Sequence, residues 1–405
     1  MTQFDLILVG GGLANCLIAD RVARRRPHAR IMILERGARV CGNHTWCYHQ
    51  TDVTPDQDLW LSRLATATWP DQEVRFPDYR RTLPIGYRAL TSLDLAGHIE
   101  RLASVTVETS AEAQELSHDA VVLADGRRFE GDCILDGRGL GRLAGMALAY
   151  QKFVGIEFET EAPHGLVRPI IMDAKVEQRD GFRFVYCLPF TPTRLLVEDT
   201  YYSDTPDLDD DRLTLEITRY AAAAGWAPAR ELRRERGVLP IVLDGELSGC
   251  WPARCSLPRT GMRAGQFHQT TGYSLARAAT VADMLAGLEP LTSASASAVL
   301  EPHARATWAR EGYHRLLNRM IFVAARPDSR RQIFERFYKL ATPMIGRFYA
   351  GRFLARDKVR MMTGRPPVAL TRALAAFLPS SAWIDRAPGA AQTPPADLAT
   401  PSRLS

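Results

Sequence analysis

Two adjacent acids, Glu198 and Asp199, close the apolar run Leu195-Leu196-Val197. Burial disfavours the charged form of a carboxyl and raises its pKa, by up to about 3–5 units in full burial, and a second carboxylate nearby raises it further. An acid in this setting is a candidate proton donor near neutral pH. Neighbouring side chains of a strand point to opposite faces, so one of the two acids is expected to face a pocket and the other not. Other chemistries have less support. No two histidines stand at metal-ligand spacing on a helix, so no metal site is expected. No G-x-S-x-G frames a serine nucleophile. The seven cysteines form no C-x-x-C pair, which argues against a disulfide framework or a zinc knuckle. His44, Trp46 and His268 are candidates to line a channel, set against the commoner structural role of a lone histidine.

A second signature lies near the N-terminus. Gly10-Gly11-Gly12-Leu13-Ala14-Asn15 follows the strand-like stretch 4–9 and opens a helical pattern over about 13–25. The first glycine permits a tight turn, and the second lets a pyrophosphate approach the backbone. The first helical turn supplies N–H groups and the positive dipole end. Glu35 ends the next apolar strand, 31–34, twenty residues after Asn15, where a carboxylate can accept hydrogen bonds from a ribose. Asn15 stands where Gly or Ala is usual, which alters how closely helix and strand pack. Two later segments fit a cofactor passing through the same domain. One is Asp136-Gly137-Arg138-Gly139 at a strand end. The other is 261–274, with Thr271, Gly272 and Tyr273 just before a helix. This layout resembles that of two-domain enzymes that bind FAD more than that of free-standing NAD dehydrogenases.

The elements that must position these groups follow from length and pattern. With 405 residues, 46% apolar and 24% charged, the chain is of ordinary globular composition, and two domains or one large interleaved unit are expected. The alternation of short apolar strands and helical stretches up to about residue 136 reads as a βαβ beginning. A strand-rich block follows over 153–200, then a helix over 209–224 with acids in its first turn. A glycine-punctuated loop at 261–272 leads into a helix over 273–288. From about 297 to 378 the pattern is helical, broken at Pro327, Pro343 and Pro366-Pro367, and 386–405 reads as a tail without periodicity. The expected fold is α/β: a discontinuous Rossmann-like FAD-binding domain (1–80, 105–150, 240–290), a mixed β-sheet substrate domain (81–104, 151–239) and a helical C-terminal part (291–380).

Several segments resemble one family closely, the bacterial flavoprotein lycopene beta-cyclases. They are Gly42-Asn43-His44-Thr45-Trp46, Thr82-Leu83-Pro84-Ile85-Gly86-Tyr87, Ile134-Leu135-Asp136-Gly137-Arg138-Gly139 and Leu195-Leu196-Val197-Glu198-Asp199-Thr200. Further along come Phe267-His268-Gln269-Thr270-Thr271-Gly272-Tyr273-Ser274, Phe334-Glu335-Arg336-Phe337-Tyr338 and Arg347-Phe348-Tyr349-Ala350-Gly351-Arg352. Gln269 stands where the family usually has Pro, Ala276-Arg277 replaces a more apolar pair, and Cys47 sits where Ser is common. The resemblance implies closure of each linear end of lycopene, a C40 carotenoid, into a beta-ionone ring without net redox change, giving gamma-carotene and then beta-carotene. It implies FAD used in the reduced form, with NADPH as reductant. It also implies that Glu198 is the essential acid, while Asp199 or the returning carboxylate of Glu198 would take the final proton. Two rivals share these motifs: an FAD monooxygenase or desaturase of an isoprenoid lipid, and a non-enzymatic isoprenoid escort.

Charge adds a partner. Residues 305–365 hold 15 Lys+Arg against four acids, 15 − 4 = +11, and the rest of the chain is 36 − 42 = −6. Ile333, Phe334, Phe337, Tyr338, Ala341, Met344, Ile345, Phe348 and Tyr349 recur there at helical spacing. Such a segment reads as a core helix with a basic face, and also as a docking face for anionic lipid. Nucleic acid is the competing anion, but no nucleic-acid motif accompanies the charge. No run reaches the roughly 18 apolar residues of a membrane span and no secretory signal opens the chain. The expected location is therefore peripheral, on the cytoplasmic side of the membrane.

Overall fold

The computed structural model describes residues 3–141, 143, 145–253 and 257–363. Two sheets carry the architecture. The first has six strands in the order Val105–Glu108, Ile31–Leu34, Gln3–Val9, Arg128–Asp136, Ala120–Leu123, Ala113–Leu116. Its first four strands run parallel, and the last two form antiparallel hairpin extensions. Leu6, Ile7, Leu8, Ile31, Ile33, Cys133, Ile134 and Leu135 are fully enclosed, as a parallel sheet covered on both faces requires. The helices Leu13–Arg25 and Leu275–Ala286 pack along each other over one face. This is the α/β layer expected from the glycine-rich turn.

The second sheet has seven strands in the order Pro228–Gly245, Met146–Thr160, Arg194–Ser203, Phe182–Pro189, Ile170–Asp173, Gln72–Phe76, Tyr79–Leu83. All neighbours are antiparallel except Ile170–Asp173 with Gln72–Phe76. Its two faces bury different sets. On one lie Ala147, Ala149, Phe182, Phe184, Tyr186, Leu188, Leu196, Tyr202, Ile241 and Leu243, covered by the C-terminal helices. On the other lie Val154, Ile156, Phe158, Val185, Leu195, Val197 and Tyr201, covered by the helix Asp210–Ala223. A three-stranded sheet (Thr45–His49, Tyr87–Thr91, Ala67–Trp69) sits beside these two.

Some expected boundaries move. Gln72–Phe76, expected in the nucleotide-binding part, is a strand of the seven-stranded sheet. Ser92–Glu100, expected in the β-rich part, packs instead against the helix Leu13–Arg25. The stretch 38–70, which has no periodicity, contains the strand Thr45–His49 and the helix Pro55–Leu61. That helix begins with Pro at its first position and a Thr54/Gln57 capping box. The 18-residue strand Pro228–Gly245 is also unsignalled, because its first half is exposed and arginine-rich. It is an edge strand, where charge and Pro240 are tolerated. The breaks at Pro327 and Pro343 are present: each begins a new helical turn, with Pro343 at the start of the helix Thr342–Tyr349. The Pro366-Pro367 break and the 386–405 tail lie outside the described residues.

Candidate active site

The glycine-rich turn is built as its residue types demand. Gly10 has φ +93°, and a Cβ there would stand 2.5 Å from the Gly137 carbonyl oxygen, so only glycine serves. The Gly11 N–H donates to Glu35 Oε2 at 2.7 Å, and the Gly37 N–H donates to Oε1 at 2.7 Å. Glu35 thus braces the turn on which a cofactor would lie. Gly12 begins the helix with no side-chain cap and no acid in the first turn, and a Cβ on it would meet nothing within 4 Å. An uncapped helix N-terminus beside open space is what a pyrophosphate needs, so these residues fit a dinucleotide. Leu13 and Ala14 contribute their backbone and bury their side chains.

Asn15 has a different role from the one expected of a cofactor contact. Its Nδ2 donates to the carbonyls of Val9 (3.1 Å) and Gly10 (2.8 Å), and its Oδ1 accepts from Thr260 Oγ1 at 2.7 Å. With 1% of its surface exposed, it ties the first strand to the loop 258–261, and Gly137 must lack a side chain to make room for it. Asp136 ends the strand Arg128–Asp136, and its carboxylate receives the Arg138 Nε at 2.9 Å and Nη2 at 3.0 Å, with Arg263 at 3.3 Å. The two guanidinium groups hold Asp136 below its usual range despite burial. Gly139 has φ +69° and open space before it. Thr271 is buried, and Gly272, at φ +70°, packs on Leu239. Tyr273 joins a chain of hydroxyls: Tyr273 to Tyr87 at 3.3 Å, Tyr87 to Tyr186 at 2.9 Å, and Tyr186 to Cys47 Sγ at 3.0 Å. Burial pushes all three phenols far above their usual range, so they remain O–H groups, and the Cys47 thiol rises to about 12.

The two acids part as strand alternation requires. Glu198 shares its face with Leu196, Thr200 and Tyr202, the face that the C-terminal helices cover. Its side chain is half-buried, and its carboxyl is lifted to about 8. Burial is the main cause, followed by the charge of Glu235, while a hydrogen bond from Thr200 Oγ1 to Oε1 at 2.6 Å works the other way. Asp199 points to the opposite face and is fully buried against Arg183 (2.8 Å) and Tyr201 (3.2 Å). It rises only to about 6, through burial that the Arg183 pair offsets. Asp199 anchors Arg183, which also holds Glu216 at 3.0 Å, and it faces away from Glu198.

An apolar hollow lies on the same side of the sheet, lined by Met172, Tyr202, Thr270, Phe334, Phe337 and Phe348 among others; Tyr202 brings the Glu198 strand to it, and Glu198 itself is not in the lining. Tyr202 lies four residues beyond Glu198, about 13 Å along the strand. The hollow runs from the loop before Leu275–Ala286 to a rim at Arg336, Arg360, Met361 and Met362. His44 and Trp46 stand on the nucleotide side, rings 5.9 Å apart, with the His44 N–H donating to Ser92 Oγ. Burial lowers the His44 pKa. His268 is a structural hub, and it also lines a small pocket with Cys47, Tyr273 and Tyr349. Its Nε2 bonds the Phe348 carbonyl at 3.0 Å, and Nδ1 accepts from the N–H groups of Thr270 and Thr271 at 3.3 Å each. With both nitrogens engaged and its pKa far below the usual value through burial, it is neutral and holds helix Thr342–Tyr349 to the loop. Among the described residues no three His, Cys, Asp or Glu side chains converge as metal ligands.

The lycopene cyclase family model matches residues 5–375. The chain belongs to the lycopene cyclase family. Relatives named lycopene beta-cyclase are 43% identical in Pantoea ananas (93% of this chain, 98% of that one) and 45% identical in a Paracoccus strain (91% and 96%). Among solved structures, a probable FAD-dependent monooxygenase from Pseudomonas aeruginosa superposes with a TM-score of 0.56 at 15% identity, covering 84% of this chain and all of that one. A geranylgeranyl bacteriochlorophyll reductase-like protein from Thermoplasma acidophilum does so with 0.54 at 11%, covering 93% and 96%. At these identities the likeness is one of fold.

Sequence reasoning missed Glu235. It is 3% exposed on Pro228–Gly245, in the same cross-strand row as Glu198, and Arg233 and Thr45 hold it at 2.6 and 2.9 Å. The only available signal was Gly155, an isolated glycine inside a strand pattern, which marks a close approach.

Proposed function

We propose that the chain is a lycopene beta-cyclase in which Glu198 protonates the terminal alkene of each linear end. The observation that carries the reading is the Glu198 carboxyl, desolvated and lifted to about 8, on the same sheet face as Tyr202, which lines the apolar hollow. Thr200 donates to Oε1, leaving Oε2 to carry the proton. Transfer of that proton to the alkene forms a C–H bond and a tertiary carbocation. The next double bond attacks the cation, forming the ring C–C bond and a new cation in the ring. With Asp199 on the opposite face, the carboxylate left on Glu198 takes the final proton, so the acid is regenerated and no electrons change hands. The apolar lining excludes water, which would otherwise capture the cation as an alcohol.

The residues that would hold FAD are the turn Gly10–Gly12 with the helix start Leu13–Ala14, Glu35, the Asp136–Gly139 segment and the Thr271–Tyr273 loop. Reduced at the expense of NADPH, the bound flavin supplies an electron-rich ring that favours a neighbouring positive charge.

The hydrocarbon enters through the rim at Arg336 and Arg360, and the helix Ala355–Met362 beside it docks on anionic lipid. Leu354, Val359 and Met362 are exposed there next to Arg356, Lys358 and Arg360. This narrows the basic segment considerably. Arg330 is buried on Asp204, Arg347 pairs with Asp357, and Phe334, Phe337, Tyr338 and Tyr349 pack on the large sheet. Among the described residues no helix is long and apolar enough to cross a membrane. The deciding experiment is anaerobic incubation of the purified chain with pre-reduced FAD and lycopene. Conversion to beta-carotene is expected, whereas a requirement for oxygen or an electron acceptor would refute the reading in favour of a monooxygenase or desaturase.

A further inference from the structure

The row of the large sheet that holds Glu198 reads, strand by strand, Tyr186, Glu198, Gly155, Glu235. Paired residues share a face, so all four point towards the hollow side. Strands lie about 4.8 Å apart, which puts Glu235 two strands, or about 10 Å of backbone, from Glu198. A side chain at position 155 would separate them, but glycine leaves a gap, and Glu235 fills it. A Cβ on Gly155 would lie 3.1 Å from Glu235 Cγ and 3.4 Å from its Oε1. The bonds from Arg233 Nη1 (2.6 Å) and Thr45 Oγ1 (2.9 Å) both end on Oε2. Oε1 is thus the oxygen that leans over Gly155 towards Glu198.

Charge counting gives the consequence. Arg233 bridges Glu235 and Glu157 (3.2 Å), and Arg194 also pairs with Glu157. Two cations are already matched by two carboxylates, each no more than 3% exposed. An ionised Glu198 would be a third carboxylate for two arginines within an enclosed wall. The other groups around Glu198 do not reverse this. Tyr186 and Tyr273 stay as neutral phenols and Cys47 as a neutral thiol. Asp199 lies on the far face and is paired with Arg183, while Thr200 and Arg233 oppose the effect.

We infer that Glu235 is a positioning residue for the acid: leaning through the Gly155 gap, its charge holds Glu198 in the protonated, proton-donating form. The inference rests on Glu198 being the acid of the proposed cyclisation. It is tested on the full chain by infrared titration of the carboxylic C=O band, assigned to Glu198 by its loss in Glu198→Gln. The midpoint is expected near 8. Glu235→Gln keeps the shape and both hydrogen bonds. It should lower the midpoint, and with it the alkaline limb of kcat, by about one pH unit, while KM changes less than about twofold. Glu235→Asp, which keeps the charge, should restore most of the midpoint. If Glu235→Gln does not fold, Arg233→Gln serves: it frees the Glu235 charge from its partner and should raise the midpoint. A midpoint unmoved by Glu235→Gln, displaced equally by Glu235→Asp, or not raised by Arg233→Gln overturns the inference. The band is read without turnover, so an inactive chain with the shifted midpoint would sink the cyclase reading and keep the coupling.

Discussion

Replacing Glu198 by Gln should abolish catalysis and stabilise the protein at the same time, a combination that follows from where the carboxyl sits. In the unfolded chain Glu198 titrates at its ordinary 4.5, and in the fold near 8. A folded-state pKa above the unfolded value means that the native state holds the proton longer. Between the two values the unfolded chain gains by ionising and the native protein does not. Stability therefore falls as pH rises from about 4.5 to about 8, by about 1.4 kcal/mol per pH unit, and levels off above. The cost is about 3 kcal/mol at pH 7 and about 5 kcal/mol above pH 8. Gln cannot ionise and still accepts the Thr200 hydroxyl, so the variant escapes the loss. Urea unfolding of both proteins from pH 4.5 to 8.5 should give nearly equal stabilities at the acid end and an advantage for Glu198→Gln that widens with pH. Its cyclisation rate should drop at least about 100-fold, the usual weight of a positioned acid. A stability difference flat across this range would refute the claim that Glu198 is desolvated, and the mechanism with it.

Two other changes separate parts of the site. Asp199→Asn removes one partner of a buried pair on the far face, so it should cost about 3 kcal/mol in urea unfolding. The kcat of the folded enzyme should stay within about threefold, and a loss like that of Glu198→Gln would restore Asp199 to the chemistry. Charging the exposed edge of the last described helix, with Val359→Glu and Met362→Glu together, should weaken sedimentation with phosphatidylglycerol vesicles by about tenfold or more. Circular dichroism should not change, and unaltered vesicle binding would show that the protein meets the bilayer elsewhere.

The local chemistry of the chain was legible residue by residue. A glycine run after an apolar strand needs no tertiary information to read as a turn beneath a helix start. The opposite orientation of Glu198 and Asp199 follows from the pleat alone. The conformations of Gly10 and Gly139 and the uncapped helix at Gly12 are local properties too. What the tertiary structure decided is which distant groups meet. Which acid faces the hollow depends on which face of the sheet the C-terminal helices cover, and strand alternation cannot say that. Asn15 read as a cofactor contact until the loop at Thr260 came to consume its amide, and which of the two roles open to His268 its ring nitrogens serve depended on the Phe348 carbonyl 80 residues away. The aromatic helices read both as core and as a docking face, and the large sheet gave most of their aromatic positions a core to fill. Glu235 lay in an arginine-rich stretch with the look of a solvated edge. Only the register of three strands, 80 and 37 residues apart in the chain at Gly155, Glu235 and Glu198, carries its charge through a missing side chain to the acid. Side-chain type and spacing set what each residue is able to do. Long-range pairing sets its neighbours, and burial beside those neighbours sets whether a carboxyl holds its proton.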